Sequence, residues 1–221
     1  MSNIELVIAR YNENLDYLNS EPFSKFKQFI YNKGPEIETD KTVINLENVG
    51  RESHTYLYHI IHNYDHLADV TYFLPGSCLD SLKKWQTMRT FERLEGSRTS
   101  VFISSELVGD VKNHAYDWCI GEYVGGNSDN QNQLDGANQI TLAKIRPFGK
   151  WFDHVFGDLH THVICYRCIF AVAREHIHQH PREYYENLIQ YLSGSQNPEY
   201  GHYFERAWLA VFYPIPNSCV Y

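Results

Sequence analysis

The chain has 221 residues, 43% of them apolar and 15% aromatic. That is enough for one sizeable core and excludes a disordered tail, a coiled coil and a collagen-like fibre. Its 27 acidic against 19 basic side chains give a formal net charge of −8, so it lacks the broad positive field by which proteins gather nucleic acid.

Ile4-Glu-Leu-Val-Ile-Ala9 is short and rich in branched residues, which predicts a first strand. The run is broken by Glu5, does not read as a signal peptide, and no stretch approaches the roughly 18 apolar residues of a membrane helix. A cytoplasmic protein without a membrane span is the expectation. A polar helix or loop follows to Asn19. Lys25 to Tyr31 alternates as a second strand, closed by the turn Asn32-Lys33-Gly34-Pro35, and residues 36–48 read as loop. Past the breaker Gly50, the spacing of Leu57, Ile60, Ile61 and Tyr64 predicts a helix over Ser53–Tyr64. Asp69–Leu74 is a third strand, stopped by Pro75-Gly76. Strands and helices in this order predict an α/β sheet with crossovers.

Leu79 to Leu94 reads as a helix and Ser100–Ile103 as a further strand. Residues 121–139, rich in Gly, Asn, Gln and Asp, have no apolar period and read as a loop or lid. Val163–Val172 is apolar enough for a buried strand or strand-turn. A helix begins at Arg174, is interrupted by Pro181, and resumes with Tyr184, Leu188, Tyr191 and Leu192 on one face. After the loop 194–198, Tyr203, Ala207, Trp208, Val211 and Phe212 form an amphipathic helix that ends before Pro214.

Several groups of residues carry chemistry. Arg10-Tyr11-Asn12-Glu13 follows the first strand, at the sheet edge where open α/β folds bind ligands. Arg51-Glu52 opens the long helix behind a glycine, where free backbone N–H groups attract anions. His54 and its helix neighbours read as a half-exposed face. His202, Glu205 and Arg206 share one helix edge and offer either a general base or a plain intrahelical ion pair. Among the 12 histidines, His160-Thr-His162 with Asp158 has the spacing of a zinc site, and His176, His178 and His180 read as surface residues. The five cysteines suit reduced thiols, and Cys165-Tyr-Arg-Cys168, although of C-x-x-C spacing, runs into an apolar segment and reads as buried and unreactive.

The blocks Ile8-Ala-Arg-Tyr-Asn-Glu13, Tyr31-Asn-Lys-Gly34, Asn48 to Leu57, Tyr72 to Gly76, Phe170 to Glu175, Pro181 to Tyr185 and Phe204 to Trp208 resemble a domain-of-unknown-function family of fungi, bacteria and large DNA viruses. The resemblance spans nearly the whole chain. The order of these blocks is similar to that of nucleotide-sugar glycosyltransferases, which implies a single Rossmann-like domain over residues 1–221 with a mixed central sheet flanked by helices. It implies a nucleotide-sugar donor and a glycan or protein acceptor, with Glu205 as general base beside His202. Arg10, Tyr11 and Asn12 would hold the nucleotide, and Lys33, Arg51 and Arg206 the phosphates. Arg167 and Arg174 stand in reserve, and Glu52 and His54 complete the substrate-binding set. The paired aspartates by which many such enzymes hold a divalent cation are replaced by Leu74-Pro75-Gly76-Ser77, so the expected transferase is metal-independent, with manganese or magnesium left open as a cofactor. A metal-dependent hydrolase built on Asp158, His160 and His162, and a carbohydrate binder without activity using the 17 tyrosines, are the competing readings.

Overall fold

The computed structural model describes residues 3–120 and 140–221. The expected loop or lid at 121–139 lies outside the described residues. In chain order the main elements are β1 (Ile4–Arg10), β2 (Lys27–Asn32), β3 (Val43–Asn45), α1 (Arg51–Asn63), β4 (Val70–Pro75) and α2 (Lys84–Ser97). They continue with β5 (Glu106–Leu107), α3 (Val111–His114), α4 (Phe148–Phe156), β6 (Val163–Ile164), β7 (Phe170–Ala173), α5 (Arg174–Ile177), α6 (Arg182–Ile189) and α7 (Glu199–Val211).

Five strands form the central sheet in the order β3-β2-β1-β4-β7. The first four are parallel, with Ile8 opposite Ile30 on one side and Leu74 on the other, whereas β7 runs antiparallel with Ala173 opposite Val70. β5 and β6 make a separate two-stranded ribbon. The chain is therefore a mixed α/β protein with a five-stranded mixed sheet flanked by helices.

Both faces of the sheet are covered, which is why β1 reads as a nearly continuous apolar run rather than an alternating one. Leu6, Ile8, Ile30, Tyr72 and Leu74 pack on one side with Phe91 and Leu94 of α2. Val7, Tyr31, Phe73 and Phe170 pack on the other with Tyr56, Leu57 and Ile60 of α1 and Phe204 and Trp208 of α7. Among the described residues no helix is long and apolar enough to cross a membrane.

Most predicted elements form within a few residues of their expected bounds, and two differ. The expected loop at 36–48 contains β3, whose three residues pair on one edge only. Ser100–Ile103 makes isolated bridges, Val101 to Ala171 and Phe102 to Val220, rather than a strand. Val163–Val172 takes the strand-turn form of its two alternatives, with β6 and β7 separated by a 3-10 turn at Tyr166–Cys168.

Candidate functional site

The carboxyl ends of β1, β2 and β4 open onto the start of α1. Gly50, just ahead of α1, has φ 62° and is left-handed, and an added Cβ there would meet the Leu192 carbonyl oxygen at 2.6 Å. Arg51 follows at φ 51° without the freedom of a glycine. Such a backbone costs a substituted residue about 1 kcal/mol or more and persists only where neighbours enforce it. The enforcing neighbour is Lys33: its buried Nζ donates to the carbonyls of Val49 at 2.5 Å and Arg51 at 2.7 Å. Burial pushes the Lys33 pKa down to about 7, opposed by Glu52 and reinforced by Arg51. Lys33 thus braces the turn that starts α1.

Glu52 sits among cations. Burial alone would raise its pKa, but Arg51, Lys83 and Lys33, with a backbone N–H, outweigh that and hold the carboxyl below its ordinary range. Arg51 Nε lies 3.5 Å from Glu52 Oε2. His54, one turn on, is pushed to about 3 by burial and by Lys33, so its ring is neutral at physiological pH. Lys83 enters from the loop after β4 and donates to Ser77 Oγ.

The C-terminal part of the chain supplies the opposite wall. Arg167 and Cys168 are two consecutive left-handed residues, φ 75° and 55°. Two acceptor contacts hold that turn. The Arg167 N–H donates to Glu205 Oε1 at 2.7 Å, and Tyr56 OH donates to the Cys168 carbonyl at 2.9 Å. Cys168 lies between the two carboxylates: burial first, then Glu205 and Glu52, raise its thiol pKa well above the ordinary value. Next to Glu205, Arg206 lies over the Trp118 ring at 3.6 Å and over the Tyr166 ring at 5.3 Å. His202 is pushed to about 4 by burial and by Arg51 and Arg206, with Glu52 opposing.

Residues from both ends of the chain therefore share one electrostatic environment. Lys33, Arg51, Glu52 and His54 meet His202, Glu205, Arg206 and Arg167 there. Arg10 faces elsewhere: its guanidinium donates to the Glu13, Tyr11 and Pro35 carbonyls and to Asn32 Oδ1, so it ties the loops after β1 and β2 together. Gly34 lets those loops touch, since a Cβ there would meet the Tyr11 carbonyl oxygen at 1.9 Å. Asn12 is exposed and lines, with Arg10, a 350 Å³ cleft between the same loops. Arg174 is at the amino end of the sheet, bonded to the Leu67 carbonyl and to Asp69 Oδ1, far in the fold from the strand tips it was expected to serve.

Asp158, His160 and His162 do not close around a common point. His160 Nδ1 is 2.6 Å from Asp110 Oδ2, Asp158 also faces Lys112, and His162 is exposed. Among the described residues no three His, Cys, Asp or Glu side chains are grouped to hold a metal ion. Cys165 and Cys168 are both buried free thiols, and burial pushes Cys165 up to about 12. One histidine expectation is corrected by packing: His176 is buried against Ser100 Oγ at 2.6 Å. His59, which no sequence motif singled out, is buried between Glu5 and Tyr31. Sequence reasoning missed Lys83, Trp118 and Tyr166, which carry no local motif and acquire meaning only from the side chains brought beside them.

A family model described as "Protein of unknown function (DUF3431)" matches residues 6–221. No curated protein and no solved structure matches the chain. The chain belongs to the DUF3431 family.

Proposed function

We propose that this DUF3431 protein is a nucleotide-sugar-dependent glycosyltransferase that passes a sugar to a hydroxyl of a glycan or protein acceptor. The observation that carries the reading is the meeting of Arg51, Glu52, His202 and Arg206, drawn from distant parts of the sequence, at the carboxyl edge of the parallel strands. In open α/β sheets that edge is where ligands bind, where successive crossovers leave on opposite sides of a strand. Here β1 is that strand, with β2 on one side and β4 on the other. The order β3-β2-β1-β4 and the helix start beside it support a Rossmann-like arrangement.

In the proposed reaction an acceptor oxygen attacks the anomeric carbon as the bond to the diphosphate oxygen breaks. Glu205, fixed by the Arg167 N–H, takes the acceptor's proton, the step for which a positioned carboxylate contributes most. Charge developing on the departing diphosphate meets Arg51, Lys83 and the start of α1. Lys33 acts through the turn it braces, and Arg10 through the loops it ties, with Asn12 on the face towards a nucleoside. Side-chain cations take the part a divalent metal plays elsewhere, so the reading is of a metal-independent enzyme.

A thermal-shift screen against nucleoside diphosphates and their sugar conjugates, with and without manganese, tests this, because a ligand that binds the native state raises the melting temperature. At least one such ligand is expected to raise it without metal, and Arg51→Ala to abolish the rise. Glu205→Gln should retain ligand binding while losing transfer. No shift with any of these ligands would remove the proposal, and a rise seen only with manganese would remove its metal independence.

A further inference from the structure

Beside the cluster, on the far side of Arg206, lies an open cleft of 430 Å³. Its walls include Trp118, Tyr116 and Tyr166, its rim carries Asn113 and Asp117, and Arg206 forms one end. Arg206 is half-buried and spends one donor on the His202 carbonyl at 2.9 Å. Among the described residues no carboxylate lies within ion-pair distance of it. The two nearest are engaged elsewhere: Glu205 accepts from the Arg167 N–H, and Glu106 is held by His114 at 3.3 Å and by Tyr166 OH at 3.4 Å. A half-buried guanidinium with no carboxylate at ion-pair distance keeps donors to offer, and its planar fork matches a carboxylate bidentately. The aromatic walls, one Trp118 face of which Arg206 itself covers, supply apolar surface, and the Asn113 and Asp117 side chains supply acceptors for hydroxyl donors. A pyranose ring has apolar C–H faces and an edge of hydroxyls, and one bearing a carboxylate adds a partner for Arg206.

We infer that the cleft binds a saccharide carrying a carboxylate, seated with its acid group on Arg206 and its ring against Trp118 and Tyr166. That this saccharide is the sugar acceptor rests on the transferase reading; its binding in the cleft does not.

Isothermal titration of the full chain with glucuronate and with glucose, a pair differing in the acid group, tests the inference without any variant. Glucuronate is expected to bind at least about tenfold more tightly, the value of one charge-assisted hydrogen-bonded contact. Arg206→Gln should erase the difference between the two sugars, and Trp118→Ala should weaken both. Inorganic phosphate is expected to compete poorly. Equal binding of the two sugars, no binding of either, or displacement by phosphate at matching concentration would each overturn the assignment. A parallel titration with nucleoside diphosphates separates the two proposals. Glucuronate binding without nucleotide binding leaves the cleft standing and removes the transferase, and the reverse result removes the cleft.

Discussion

The two ends of the central sheet are built to different rules. At the amino end, charges are matched inside the protein. Glu5 on β1 is buried and accepts from Thr71 at 2.9 Å and from the Ala68 N–H, with His59 Nε2 at 3.0 Å, while His59 Nδ1 meets Tyr31 OH at 2.9 Å. Arg174 pairs with Asp69 and Arg182 with Asp65, and His178 bonds to the Tyr64 carbonyl. At the carboxyl end, Lys33, Arg51, Lys83 and Arg206 crowd around few carboxylates. Three of the four left-handed non-glycine residues among the described ones, Arg51, Arg167 and Cys168, lie there as well. The fourth, Arg98, simply caps the end of α2. Strain and like charge both oppose folding, so this end is held together at a cost in stability, as the proposed site requires.

Substitutions can break that contrast. The largest effect should come from the amino end. His59→Ala removes one of three hydrogen-bond partners of the buried Glu5 carboxylate and the partner of Tyr31 OH, and should lower unfolding free energy by about 1–3 kcal/mol, as leaving buried polar groups short of a partner does. Urea unfolding measures it, and ligand shifts at the other end should persist relative to the variant's own melting point. A loss under about 1 kcal/mol would show that the pair is not the amino end's anchor.

An intermediate effect is expected from pH. His54 and His202 have folded-state pKa values pushed to about 3 and about 4, below the ordinary 6.5. Between those values the unfolded chain binds the protons more readily, so stability should be full above pH 6.5 and fall as pH drops towards 4. The double variant His54→Gln, His202→Gln should flatten melting temperature against pH over that window. A profile as steep as that of the parent would place the acid sensitivity elsewhere.

The smallest effect is the most diagnostic of purpose. Arg51→Gly relieves a left-handed position that glycine occupies without strain but also removes a cation from Glu52, so the two effects should offset and stability should change by less than about 1 kcal/mol. Nucleotide binding, in contrast, should be lost. A destabilised variant with unchanged affinity would make Arg51 a structural residue and erase the distinction between the two ends.

Much of the scaffold was legible in the residues because it depends on local period. β1, β2, β4, α1 and α7 announce themselves through runs or three- and four-residue spacing of apolar side chains. β3 did not, since three residues pairing on one side leave almost no pattern. The break between β6 and β7 stayed one of two alternatives, because left-handed Arg167 and Cys168 are held by Glu205 and Tyr56, far away in the chain. The pairing of Glu5 with His59 left no mark for a related reason. A lone charge within an apolar strand has no visible partner until a helix more than fifty residues later is seen to bury with it. Of the candidate site, the order of the blocks pointed to Arg51, Glu52, His202, Glu205 and Arg206. It could not separate them from Arg10 and Arg174, whose spacing from the strands looks the same in one dimension.

The sequence by itself determined the class of fold, the position of most helices and strands, and which segments supply polar groups at strand ends, because each follows from a residue's chemistry and its near neighbours. Tertiary structure alone decided which of those groups share a pocket, which cations are already satisfied by carbonyls, and which histidines are buried. Those outcomes depend on distances between segments far apart along the chain and on how much water is left between them, and electrostatic energy and desolvation are set by both.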